Sequence, residues 1–130
     1  METGSWIGAQ LSLFGATIAG NRAAWALELD GTAGLRVEGS ILSHEGGPLL
    51  WNTGEPTGTT VRIRDTVLHG DATGVDTGRN HVGDPRLSAS YRPAEGSIAR
   101  GKLLALPASW SSRDLLGRTR PTKPTLGALE

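Results

Sequence analysis

Three short segments of the chain repeat one order of apolar and polar positions: Leu11-Ser-Leu13-Phe-Gly15-Ala-Thr-Ile18, Leu35-Arg-Val37-Glu-Gly39-Ser-Ile-Leu42 and Val61-Arg-Ile63-Arg-Asp65-Thr-Val-Leu68. The second follows the first by 24 residues and the third follows the second by 26. In each, two apolar residues alternate with polar ones, a Gly or Asp comes two positions later, and an apolar residue returns three positions after that. Alternation of period two describes a strand with one buried face. A residue that accepts positive φ then marks a sharp corner, since Gly takes that conformation freely and Asp takes it better than a β-branched residue does. Strand, corner and second strand repeated every two dozen residues predict a parallel β-solenoid.

The pattern predicts that Leu11, Leu13, Leu35, Val37, Val61 and Ile63 stack inside. Ser12, Phe14, Arg36, Glu38, Arg62 and Arg64 then face outward, with Glu38 beside Arg64 as an exposed pair. Ile18, Leu42 and Leu68 point back inward at the start of the second strand. A fainter third strand aligns Trp25, Leu27 and Leu29 with Leu49, Trp51 and Thr53 at an offset of 24, and only Val75 continues it in the next coil. Gly31-Thr32 and Gly58-Thr59 fall in the turns that restart the cycle. From Gly70 to Gly83 the pattern decays into a polar, loop-like stretch. The fold class predicted is all-β: a right-handed parallel β-helix of about three coils over residues 1–83. Residues 84–130, irregular and rich in turn formers, belong to the same single domain as a capping tail that covers the exposed end of the stack.

Composition narrows the chemistry more than it names it. Nineteen glycines among 130 residues is about twice ordinary usage and suits a turn-rich chain with little helix. Thirteen basic residues balance thirteen acidic ones, so no net field draws nucleic acid or an anionic membrane. Cysteine is absent, which removes disulfides, thiolate metal sites and cysteine nucleophiles. Asn21-Arg22 interrupt the most apolar stretch, Leu11 to Leu29, so no membrane insertion is expected. The start, Met1-Glu-Thr-Gly-Ser-Trp6, lacks the basic and apolar regions of a secretory signal.

The later part of the chain carries a series of phrases in order: Asp84-Pro85-Arg-Leu87, Tyr91-Arg-Pro93-Ala-Glu-Gly96-Ser97-Ile-Ala99-Arg, Asp114-Leu-Leu-Gly117-Arg-Thr-Arg120-Pro121 and Gly127-Ala-Leu-Glu130. With the coils before them, these resemble the carboxy-terminal portion of bacterial right-handed parallel β-helix repeat proteins of the pectate-lyase-like superfamily. The resemblance covers residues 11–130. It implies an extracellular or cell-surface setting and a polysaccharide partner. Members resembling the chain include lyases, hydrolases, adhesin-like proteins and proteins of no known activity, so fold alone selects no activity. Such proteins usually have more coils and a secretion signal, so the chain reads as the last part of a longer protein. Trp6-Ile7 then belong to a preceding coil, and the amino-terminal edge pairs with further coils or with another copy.

Sugar-cleaving β-helices gather carboxylates, or basic residues with calcium, on one strand face across coils. The resemblance therefore directs the search to Arg36, Arg62, Arg64 and Glu38, with Asp65 at the corner, as catalytic or acidic-saccharide-binding candidates; a solvated charged face is the plainer reading. Asp71, Asp76, Asn80, His81 and Asp84 form the densest polar cluster. Asp71, Asp76 and Asp84 are candidate Ca2+ ligands, although the spacing lacks the ordered carboxylates of a known calcium loop and turn geometry accounts for the residue types. No other cofactor is expected. His44 lies two residues beyond Leu42 and His69 one beyond Leu68, so these imidazoles face opposite ways and, with His81, do not suggest a shared zinc site. No two acids take equivalent outward positions on adjacent coils, as a paired-carboxylate hydrolase requires. Trp6, Trp25, Trp51 and Trp110 read as core or edge cover before they read as a sugar platform. Arg118, Arg120 and Lys123 read as a solvated tail. The function expected is a non-catalytic terminal segment, acting in structure, assembly or carbohydrate-surface binding; the alternative is a polysaccharide lyase or hydrolase acting on an acidic polysaccharide.

Overall fold

The repeat folds as stacked windings whose equivalent strands pair in parallel. A computed structural model describes residues 10–29, 34–52, 61–100, 113–121 and 124–129. The predicted roles of Trp6, Ile7, Gly31, Thr32, Thr53, Gly58, Thr59, Trp110, Lys123 and Glu130 lie outside the described residues. In chain order the strands are β1 (Gln10–Phe14), β2 (Thr17–Ile18), β3 (Leu27–Leu29), β4 (Gly34–Glu38), β5 (Ile41–Pro48), β6 (Leu50–Asn52), β7 (Val61–Arg64), β8 (Val67–Asp71) and β9 (His81–Val82). The first sheet runs β1-β4-β7, the second β2-β5-β8-β9 and the third β3-β6. Every pair in them is parallel. Among the described residues there is no α-helix, and no helix is long and apolar enough to cross a membrane. The chain is an all-β parallel solenoid of three coils.

Register follows the sequence repeat. Leu13 pairs with Val37 and Val37 with Ile63, while Ile18 pairs with Leu42 and Leu42 with Leu68. Leu35, Val37, Leu42, Leu49, Ile63 and Leu68 form the main core, with Leu13, Ile18, Leu27 and Val75 packed against it. Each side chain removed fully from water at this core contributes about 1.5–3 kcal/mol. Inward position alone does not ensure burial, because Leu11 on β1 is 44% exposed and Val61 on β7 is 38% exposed while Leu35 between them is 1% exposed. Among the described strands of this sheet only the middle one, β4, is flanked on both sides.

The corners show the predicted backbone. Gly15, Gly39 and Asp65 have φ of 61°, 60° and 50°. The position after each corner carries a second column that the apolar pattern does not reveal. Ala16 N donates to Ser40 Oγ at 3.0 Å, Ser40 N to Thr66 Oγ1 at 3.4 Å and Thr66 N to Asn80 Oδ1 at 3.1 Å. The hydroxyls donate in turn to backbone carbonyls, Ser40 to Glu38 and Thr66 to Arg64. Thus the amide that follows each corner is received by a side chain of the next winding, which satisfies a donor that would be costly to bury unpaired.

Two expectations are corrected by the geometry. The third sheet pairs Leu27 with Leu50 and Glu28 with Trp51, an offset of 23 rather than 24. The register of β5 against β8 shifts between His44 and Pro48; the route from Leu42 to Leu50 is one residue shorter than that from Ile18 to Leu27, and a one-residue slip exchanges the two faces of a strand. The stretch after Gly70 is more than a loop. A 3-10 turn at Thr77–Arg79 leads into β9, which pairs Val67 with His81 and Leu68 with Val82. This partial fourth winding reaches the second sheet in 14 residues, bypassing the other two sheets.

The tail is irregular and lies against a side wall. Sequence alone places it over an end of the stack; its described contacts are with the outward face of the second sheet. Ile41 and Val67, adjacent in sequence to inward Leu42 and Leu68, form a second core with Ala99 and Leu126, supported by Leu87 and Ile98. Leu126 N donates to Ala99 O, Gly127 N to Gly39 O and Ala128 N to Thr17 Oγ1, at 2.8, 2.8 and 3.0 Å. A Cβ on Gly127, whose φ is +97°, would stand 2.6 Å from Thr17 Oγ1 and 2.8 Å from Ile41 Cδ1. Glycine is what lets this backbone approach so closely.

Candidate functional site

The outward face of the first sheet carries the residues singled out by alternation. Register sets Ser12, Arg36 and Arg62 in one row across the strands and Phe14, Glu38 and Arg64 in the next. Adjacent rungs of a sheet lie about 4.8 Å apart, so the three guanidinium stems rise from neighbouring points. Arg36 Nε donates to Glu38 Oε1 at 3.1 Å, and its guanidinium lies 5.3 Å from the centre of the Phe14 ring. The expected partner of Glu38 was Arg64 on the next strand. The carboxylate instead meets Arg36 two residues earlier on its own strand, the same-face neighbour whose planar fork is already steadied over Phe14. Both side chains are part exposed, at 43% and 26%, so this pair contributes no more than about 1 kcal/mol. Among the described residues Arg62 and Arg64 have no ion pair. Asp65 follows them as the exposed third corner, where its backbone N donates to Arg79 O.

Among the described residues this face has three guanidinium groups and one carboxylate, with that carboxylate already engaged. It is suited to holding anions against a flat, solvated surface. Arg36, Arg62, Arg64 and Glu38 are brought together; Asp65 belongs to the turn.

The Asp cluster resolves into turns. Asp71 Oδ1 accepts from Thr73 N at 3.0 Å and from Thr73 Oγ1, Asp76 Oδ1 from Gly78 N at 2.9 Å, and Asp84 Oδ1 from Arg86 N at 2.7 Å. Each is a carboxylate serving the backbone two residues on, the ordinary Asx-turn. The Thr73 hydroxyl, and then the Thr73 amide, hold the Asp71 carboxyl below its usual range by hydrogen-bonding the charged form. Asn80 is committed to the corner column, its Nδ2 donating to Ile63 O and Asp76 O. Among the described residues no three His, Cys, Asp or Glu side chains converge as a metal site.

Register sets His69 beside Ser43 and His44 beside Gly70, yet both histidines, expected to face opposite ways, line one cleft. Ser43 Oγ and His69 Nδ1 are 2.9 Å apart, a cross-strand pair that sequence comparison passed over because it matched histidine with histidine rather than position with position. His81 sits on β9, its amide bound to Thr66 O. Trp25 and Trp51 stack at 5.3 Å with 14° between planes, and Trp51 is 45% exposed.

The tail phrases are seats and turns. Pro85 and Pro93 are buried, Ser97 Oγ donates to Pro85 O, and Ser97 Oγ accepts from Ala99 N. Asp114 Oδ1 accepts from Leu116 N and Arg118 N, and Arg120, expected in a solvated tail, is 9% exposed and donates to Gly127 O. Comparison of the chain with protein-family models, curated proteins and solved structures finds no match. The class defined by the geometry is a parallel β-solenoid with one docked and one open wall.

Proposed function

We propose that the chain is the carboxy-terminal portion of a pectate-lyase-like, right-handed parallel β-helix protein acting outside the cell or at its surface. In this reading it holds an acidic polysaccharide on its first sheet without cleaving it. The observation that carries the reading is the open row of Arg36 and Arg62 with Arg64 beside them, on a wall where Glu38 is the one outward carboxylate among the described strand residues. A chain of uronate sugars presents carboxylates repeatedly along a flat ribbon, and guanidinium groups on successive rungs can meet several of them by charge-assisted hydrogen bonds. Retaining and inverting hydrolases need two carboxyl groups flanking the scissile bond, and Glu38 is paired with Arg36. The tail phrases and the stacked coils support the family reading.

Electrophoresis through gels containing polygalacturonate or alginate, with neutral dextran as control, tests it. The chain should be retarded by the acidic polymers alone, and Arg62→Glu with Arg64→Glu should release it. Retardation should weaken as salt rises, because exposed charges are screened. Equal mobility in acidic and neutral gels would overturn the reading. Unsaturated product absorbance on incubation with either polyuronate, abolished by Arg62→Ala, would replace binding with a lyase that uses this face.

A further inference from the structure

A second site lies where the second sheet runs out beneath the tail. A cleft of about 400 Å3 opens there between Ser43, His44, Glu45 and Gly46 of β5, His69 of β8, Asn21 of the first coil, and Asp84 and Tyr91 of the tail. Its size falls within the roughly 300–1,000 Å3 of small-molecule sites. Three features distinguish it from an incidental gap. His44 is only 3% exposed, yet its Nε2 has no hydrogen-bond partner. That nitrogen is closed off from solvent and lies 3.5 Å from where a Cβ on Gly46, which also lines the cleft, would stand. Beside it, Ser43 and His69 offer a paired hydroxyl and imidazole.

Tyr91 closes one side. It has φ of 63°, a conformation that bulky residues rarely take, and is 48% exposed. Its hydroxyl sits over Gly20, where a Cβ would come within 2.6 Å. The fold thus accepts a strained backbone and a bare glycine to set an aromatic ring and hydroxyl at this rim.

Among the described residues that line the cleft the charged ones are Glu45 and Asp84, and none is lysine or arginine. Such a wall repels carboxylates and phosphates, the opposite preference to the first sheet. Its remaining polar groups are hydroxyl, amide and imidazole, which exchange hydrogen bonds with alcohols in either direction. An aromatic face beside such groups suits the apolar face of a ring compound. We propose that the cleft binds a neutral, hydroxyl-rich ligand of one or two sugar rings, with the Ser43–His69 pair meeting its hydroxyls and Tyr91 covering a ring face.

The test is a titration of the 15N-labelled full chain with cellobiose, maltose and lactose, each followed through the histidine side-chain resonances, with digalacturonate as the charged probe. A neutral disaccharide should shift the His44 and His69 ring signals saturably. Tyr91→Asn, chosen because Asn tolerates positive φ, should weaken that binding at least tenfold, and Ser43→Ala should weaken it too. Arg62→Glu should leave it unchanged, which separates this site from the first sheet. No shift of these signals with any neutral probe at millimolar concentration, a shift with digalacturonate only, or equal affinity in Tyr91→Asn would each overturn the proposal. The wild-type titration decides the matter even where a variant fails to fold.

Discussion

The first and second sheets follow one another in every coil and end as opposite surfaces. Inward, both are apolar: Leu35 and Val37 on β4, Leu42 on β5 and Leu68 on β8 share one core. Outward, β4 shows Arg36 and Glu38 to water, whereas β5 and β8 show Ile41 and Val67, both 0% exposed under Ala99 and Leu126. A parallel strand buried on both faces carries adjacent apolar residues, and one with a single wet face alternates. What separates the walls is thus the outward residues of their strands, apolar where the tail docks and charged where the wall stays exposed.

Matched substitutions at the two walls should break the symmetry most sharply. Val67→Asp buries an unpaired carboxylate and should cost several kcal/mol, enough to unfold the chain in a thermal melt. Arg62→Asp at an exposed outward position should change stability by no more than about 0.5 kcal/mol. Comparable losses would mean that the walls are not different in kind.

Removing the cover rather than the wall gives the next effect. Leu126→Ala deletes a fully buried side chain and should cost about 2–5 kcal/mol by urea unfolding. Leu11→Ala, inward by pattern but 44% exposed, should cost well under that. Asn80→Ala should then cost about 1–3 kcal/mol by leaving Thr66 N without its acceptor; a neutral result would show that the corner column is dispensable.

The smallest effect lies in the turn after β8. Thr73 holds the folded pKa of Asp71 below 3.8. Its contribution is present above 3.8 and is lost as pH falls through the lower folded value. Thr73→Ala should move the Asp71 carboxyl titration, followed by NMR, upward toward 3.8. The group is fully exposed, so little of this should reach global stability. An unmoved titration would refute the assignment.

Alternation made the first sheet legible, including the outward set Arg36, Glu38, Arg62 and Arg64, because side-chain period and repeat length together fix both face and neighbour. The corner column was legible as backbone, at Gly15, Gly39 and Asp65. Its hydrogen-bonded companion, Ser40, Thr66 and Asn80, was not, because hydroxyl and amide residues serve turns everywhere and only stacking shows what they receive. Ile41 and Val67 stand beside inward Leu42 and Leu68, but nothing local says that they are buried too, under Ala99 and Leu126. The cleft at His44 was hidden for the same reason, since Tyr91 reaches it from a distant part of the chain. The tail phrases, which carry the resemblance, serve turns and docking.

Thiol labelling tests the account most directly, because the chain has no cysteine of its own. Single variants Arg62→Cys and Val67→Cys place one thiol outward on each wall. Under native conditions the thiol at 62 should react at the rate of a free thiol, while the thiol at 67 should react at least a hundredfold more slowly until the chain is unfolded. Equal rates at the two positions would contradict a docked wall beside an open one.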